Sequence, residues 1–162
     1  MKRSPMIVAL LALSLGGLMV RPHAQARRFV PVTDAMLHKP DPADWLAWRR
    51  TPDGWGYSPL DQVNRNNVSQ LRMVWTYPLG AGQSEGTPLV HDGVIYVPSV
   101  GDYIFAADAK TGDILWEYRR KLPEGVTPKR TRTLAIWSNL IINSSSDNQI
   151  YALNAQTGQL VW

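Results

Sequence analysis

The chain has 162 residues, a formal charge of +4 and no cysteine. Without Cys there is no disulfide framework, no Cys-based zinc site, no lipobox to anchor the chain to a membrane and no C-x-x-C-H to attach a c-type haem. Residues 1–26 hold three basic side chains and no acidic one, so the remainder carries 14 basic against 13 acidic groups, and the electrostatic footing for a nucleic-acid partner disappears.

Those first 26 residues read as a signal peptide. Lys2 and Arg3 form a basic n-region, Met6 to Val20 an uncharged apolar core, and Ala24-Gln25-Ala26 an A-x-A site, with cleavage predicted after Ala26. An apolar run of about 15 residues is short of the roughly 20 needed to span a bilayer. The expectation is a periplasmic protein with no membrane span after cleavage.

Residues 27–84 are predicted to form a lead-in arm and one strand. Pro31, Pro40 and Pro42 are spaced against regular structure, so Arg27 to Asp44 should be extended. From Trp45 to Tyr57, aromatic residues alternate with Arg, Asp and Gly, as in a loop packed on the outside or end of a sheet. Asn66 to Leu71 can make one helical turn with an Asn cap. Arg72 to Tyr77 alternates as a strand. Of the histidines, His23 leaves with the signal, and His38 and His91 show no ligand spacing and are expected at the surface.

Residues 85–162 are dominated by a repeat. Ala106-Ala107-Asp108-Ala109-Lys110-Thr111-Gly112-Asp113-Ile114-Leu115-Trp116 returns 46 positions later as Ala152-Leu153-Asn154-Ala155-Gln156-Thr157-Gly158-Gln159-Leu160-Val161-Trp162. Each copy reads as strand, tight turn, strand: Asp108 or Asn154 can bond the backbone of its own turn, and Gly112 or Gly158 supplies a positive φ. Upstream, the same offset pairs Thr87–Val90 with Thr133–Ile136 and Val94–Val97 with Leu140–Asn143. Four short strands per period predict an all-β chain of two four-stranded antiparallel blades, the unit of a β-propeller. The Trp closing each copy should lie flat between neighbouring blades, where burying its ring is worth at most about 4–6 kcal/mol. Glu117 to Thr131, with Pro123, Gly125 and Pro128, should be an exposed connection carrying the solvated cluster Arg119-Arg120-Lys121 and Lys129-Arg130.

The repeat Ala-x-Asp/Asn-x-x-Thr-Gly-x-x-x-Trp resembles the tryptophan-docking motif of the pyrroloquinoline quinone-dependent (quinoprotein) alcohol dehydrogenases. The resemblance extends to Trp45-Leu46-Ala47-Trp48, Tyr57 to Asn64 and Gln83 to Val90, so it runs from about Asp44 to Trp162. It implies an eight-bladed propeller of which this chain holds the first two blades. Two blades cannot close a ring that needs about four or more, so the chain reads as the N-terminal portion of a larger protein, with Arg72–Tyr77 joining the last blade to close the ring.

Glu85 begins the innermost strand of the first blade, and repeat alignment puts Thr131, then Arg132, at the equivalent place in the second. Innermost strands line the channel of a propeller, so Glu85 and Arg132 are expected to approach one another at one end of it, where they could recognise a carboxylate-bearing quinone. By resemblance both contact the quinone cofactor, with Arg132 near its oxygens in an electrostatic role. Relatives often carry two adjacent Cys before that Arg; this chain has Thr127-Pro128-Lys129-Arg130, a departure bearing on how one face of the cofactor is packed. The Ca²⁺ or lanthanide ligands and the Asp base of the family fall in later blades, so no catalytic residue or metal ligand is assigned here, and Asp147 and Asn148 are assigned to a turn. The implied reaction is oxidation of an alcohol or related substrate, with electrons passed to a periplasmic acceptor such as a cytochrome c. The fragment alone is expected to be inactive. An alternative is a non-catalytic propeller scaffold of the outer-membrane assembly type, against which stand the missing lipobox Cys and the presence of the Trp45–Asn64 segment.

Overall fold

A computed structural model describes residues 28–162, and the expected signal peptide lies outside the described residues. Two antiparallel sheets carry the fold. The first contains β1 (Leu89–His91), β2 (Val94–Ser99), β3 (Tyr103–Asp108) and β4 (Ile114–Arg119) in sequential order, and the second β5 (Ala135–Trp137), β6 (Leu140–Ser144) and β7 (Ile150–Asn154). The repeat therefore folds as a repeat. Ala106 of β3 pairs with Tyr96 of β2, and Ala152 of β7 pairs with Ile142 of β6, at positions related by the same offset.

The turns justify their composition. The Asp108 carboxylate accepts from the backbone of Lys110 and Thr111 at 2.8 and 3.0 Å, and the Asn154 amide oxygen from Gln156 and Thr157 at 2.9 and 3.0 Å. Gly112 and Gly158 sit at φ +77° and +71°. A second constraint acts on them, because a Cβ on Gly112 would lie 2.7 Å from the ring of Trp75 and one on Gly158 2.6 Å from that of Trp116. Each turn is thus the floor on which a tryptophan from the preceding unit rests. Trp116 is 7% exposed, and its indole N–H donates to Ala155 O at 2.9 Å; Trp75 donates to the equivalent Ala109 O at 3.1 Å.

Three expectations need correction. The second sheet has three strands instead of four, and its last stretch contributes a bridge between Leu153 and Leu160 and two backbone bonds joining Ala152 to Val161 and Trp162. By contrast, β4 pairs with β3 through Trp116, Glu117, Tyr118 and Arg119 as well. Trp162 is 55% exposed. The lead-in arm is not wholly extended, since a short helix, α1 (Asp34–His38), forms between Pro31 and Pro40 with the Thr33 hydroxyl accepting from Met36 N. The prolines flank the helix and do not interrupt it. Val68–Gln70 forms a 3₁₀ turn at the expected place, but Asn67 does not cap it with its side chain; its amide bonds Asn64 N and Gln62 O instead.

Arg72–Tyr77, expected to pair with the last blade of the ring, has no ladder partner among the described residues. From Val74 to Tyr77 its alternation still sorts the side chains. Met73 and Val74 are exposed, whereas Trp75 rests on Gly112 and Tyr77 stacks against Phe105 at 4.6 Å. The Tyr77 and Tyr103 hydroxyls both donate to Glu117, at 2.8 and 2.6 Å. These two hydrogen bonds hold the Glu117 carboxyl below the usual carboxylate range, while burial and the bond to Glu117 push the Tyr103 hydroxyl up. A carboxylate with a depressed folded pKa stabilises above its unfolded pKa and loses that contribution as pH falls through the folded one. Hydrogen exchange of residues 71–80 should therefore accelerate severalfold on acidification, and Glu117→Gln should abolish that pH dependence. Exchange that stays pH-independent once intrinsic rates are removed would refute the attachment.

The arm is stitched to both sheets. Trp45 and Val90 exchange two backbone bonds of 2.7 and 2.9 Å along β1, and Val32 and Ser138 exchange two of 2.9 and 2.8 Å at the β5–β6 turn. The main core runs across these elements, from Val32 and Leu46 through Leu89, Tyr96 and Ile104 to Ile141, Tyr151 and Leu153.

Candidate functional site

Glu85 and Arg132 do meet. Glu85 Oε2 lies 3.3 Å from Arg132 Nε, and its Oε1 accepts from Arg130 Nη1. Glu85 does not start a strand, however, because β1 begins four residues later at Leu89. It stands on an unpaired lead-in whose place is set from two sides. Thr87 N donates to Arg132 O at 2.9 Å, which ties the approaches to β1 and β5 together. Gly86 passes so close to β2 that a Cβ there would lie 2.6 Å from Pro98 O.

The arginine side is positioned by a buried polar latch between the sheets. Asp102, 1% exposed in the β2–β3 turn, accepts from Ser146 N at 3.1 Å and from the Ser146 hydroxyl, in the β6–β7 turn. The same hydroxyl accepts from Lys129 N at 2.8 Å, which fixes the chain one residue before Arg130. Beside it, Arg120 bonds Asp147 at 2.8 Å and lies over the ring of Tyr151. That guanidinium holds the Asp147 carboxyl down at about 2. Asp147, expected to serve its own turn, instead ties that turn to Arg120, so Arg120 is an inter-sheet tie and not a freely solvated cation.

Arg130, Asp102 and Ser146 were not singled out by sequence reasoning. For Arg130 a signal existed: residues two apart in an extended chain point the same way, so whatever faces Arg132 also faces Arg130. Asp102 and Ser146 lie in different repeats at non-equivalent positions, which no repeat alignment brings together. Thr131, aligned with Glu85, turns inward and is buried.

His91 also departs from expectation, since it is 2% exposed instead of lying at the surface. Its Nδ1 lies 2.9 Å from Asp44 Oδ2 and its Nε2 2.7 Å from Val30 O, while the other Asp44 oxygen accepts from Asp92 N at 3.0 Å. This is an anchor for the arm. His38 is exposed, as expected.

An open cleft of about 310 Å³ between arm and β1 is lined by Pro42, Trp45, Leu60, Pro88, Val90 and Ile95 among others, and it excludes Glu85, Arg130 and Arg132. Among the described residues no group of three His, Asp or Glu side chains could hold a metal ion, and no helix is long and apolar enough to cross a membrane. Exposed charge from the approaches to the two sheets converges at Glu85. Two guanidiniums around one carboxylate leave an excess positive charge and unused N–H donors, a donor set that fits a ligand carrying several carboxylates and quinone oxygens.

Comparison with known proteins matches residues 45–162 to the glucose/ethanol/alcohol dehydrogenase β-propeller domain. The dehydrogenase subunit of the quinone-dependent alcohol dehydrogenase of Gluconacetobacter polyoxogenes is 38% identical over 136 residues, covering 80% of this chain and 18% of that protein. The quinohemoprotein alcohol dehydrogenase of Pseudomonas putida HK5 superposes with a TM-score of 0.73 at 31% identity, over 82% of this chain and 20% of that one. A europium-containing methanol dehydrogenase superposes with a TM-score of 0.71 at 33% identity, over 79% of this chain and 24% of that one. The chain therefore spans about a fifth of the length of these relatives. With its docked tryptophans, its repeated Asp/Asn–Thr–Gly turns and this match along residues 45–162, the chain belongs to the quinoprotein glucose/ethanol/alcohol dehydrogenase β-propeller family.

Proposed function

We propose that this chain is the N-terminal part of a periplasmic pyrroloquinoline quinone-dependent dehydrogenase that oxidises an alcohol or related substrate, and that Glu85 and Arg132 contact the quinone. The observation that carries the reading is the meeting of Glu85 with Arg132 where β1 and β5 are approached. Arg132 is 75% exposed and keeps its terminal N–H groups available, so it can hold positive charge against quinone oxygens on which negative charge develops. Glu85 fixes the rotamer of that guanidinium and is itself held by the Gly86 contact with Pro98. When bound, the quinone supplies a two-electron acceptor for the alcohol carbon.

By the same family relation, a complete propeller would have eight blades, with Arg72–Tyr77 pairing to the last of them. The docked position of Trp75 supports this, because it treats Gly112 as Trp116 treats Gly158. Ca²⁺ or a lanthanide is the metal this reading implies, with ligands outside the chain, and one relative is described as europium-containing. Electrons would leave to a periplasmic acceptor such as a cytochrome c.

The test uses the intact protein. Alcohol-dependent reduction of an artificial acceptor should require added quinone together with Ca²⁺ or a lanthanide. Arg132→Gln should weaken quinone binding about 10- to 100-fold, the effect of losing a charge-assisted bond of about 1.5–3 kcal/mol. Protein that binds no quinone under any metal condition would overturn the proposal.

A further inference from the structure

We propose that Arg130 is a further binding residue of the Glu85–Arg132 site, supplying the net positive charge that draws a multiply carboxylated ligand to it. The inference rests on the quinone-site reading of Glu85 and Arg132 and adds a residue to it.

The argument starts from charge. Glu85 and Arg132 alone sum to zero, and a neutral pair gives an anion little long-range attraction. Arg130 brings the three side chains to a net charge of +1. It is placed for contact and not merely for field, because its side chain is 45% exposed and Arg132's is 75% exposed, each spending one guanidinium nitrogen on a different oxygen of Glu85. A guanidinium has five N–H donors. Among the described residues neither arginine has another side-chain hydrogen bond, so most donors of both remain open to the same volume.

Its position is also engineered by the fold in a way a solvated surface charge does not need. The residue before it is bonded through Lys129 N to Ser146, which is bonded to the buried Asp102. The residue after it, Thr131, is buried. Arg130 is held between two fixed points, and the alternation of an extended chain then directs it to the side of Arg132. Glu85 acts as the placeholder, keeping both guanidiniums oriented towards one point until a ligand carboxylate shares them.

The test is direct binding of pyrroloquinoline quinone to the intact protein, followed by equilibrium dialysis at several salt concentrations. Arg130→Gln should weaken binding about tenfold and flatten its salt dependence, and Arg130→Lys should restore most of the salt dependence. The loss should persist when Glu85 is already Gln, since the contact is with the ligand. Unchanged thermal midpoints for these half-exposed substitutions separate binding from folding. If the parent protein binds quinone and Arg132→Gln weakens it, yet Arg130→Gln binds within twofold, the role of Arg130 falls and the site reading stands. A loss that vanishes in the Glu85→Gln background also overturns it, reducing Arg130 to a holder of Glu85. Absence of quinone binding by the parent protein overturns both.

Discussion

Trp116→Ala should destabilise the intact protein by about 3–5 kcal/mol, the range for deleting a buried aromatic side chain. The ring fills the junction between the two sheets, resting on Gly158 and lying 6.0 Å from the ring of Tyr96. Its removal leaves a cavity and strips Ala155 O, a carbonyl in a buried residue, of its indole donor. Trp116→Phe separates these effects: most of the packing survives, and the lost hydrogen bond should cost about 1 kcal/mol. The junction can also be attacked from below, because Gly158→Ala puts a Cβ 2.6 Å from the indole and asks an L-residue to hold φ +71°. Denaturation midpoints should rank the variants Trp116→Phe, Gly158→Ala, Trp116→Ala from mildest to worst. If Trp116→Ala costs under 1 kcal/mol, the docking account is wrong.

Breaking the buried pair between His91 and Asp44 should have a comparable effect, of about 3 kcal/mol for Asp44→Ala, since it leaves the buried His91 Nδ1 without its Asp44 acceptor. Both ring nitrogens of His91 face an acceptor oxygen, so the two bonds form together only when each nitrogen carries a hydrogen. Asp44 in turn receives the backbone of Asp92 in the turn after β1. Loss of the pair should release residues 28–44 before the sheets unfold, making the arm cleavable by protease under native conditions. A double-mutant cycle with His91→Leu should show strong coupling. Additive effects of the two substitutions would show that the arm is held mainly by its two strand-like bridges at Val32 and Trp45.

The sheets were legible because their signal is local and repeated. A strand announces itself by β-branched and aromatic runs, a turn by Asp/Asn and Gly at fixed offsets, and two copies in register exclude coincidence. The same locality explains why Glu85 and Arg132 could be paired in advance: Arg132 lies one residue past Thr131, the position equivalent to Glu85, and equivalent places in adjacent repeats become neighbours wherever the repeats stack. The chain itself therefore determined the blade, its turns, the tryptophan that leaves each turn and one pair of facing charges.

What the tertiary structure decided are contacts between parts with no common pattern. The His91–Asp44–Val30 anchor joins a strand end to an arm more than 40 residues away, and nothing in the spacing of a lone His distinguishes that from a surface position. Trp75 lacks the Thr-Gly turn before it that marked its two counterparts, and its seat on Gly112, which leaves no room for a Cβ, and its bond to Ala109 O reveal it as a docking residue. The latch between Asp102 and Ser146 is built across the repeat boundary, out of register. Periodicity fixes what each unit is, because it follows from short-range backbone preference. Which charges and rings meet between units depends on how the units stack, and that is set by packing in three dimensions.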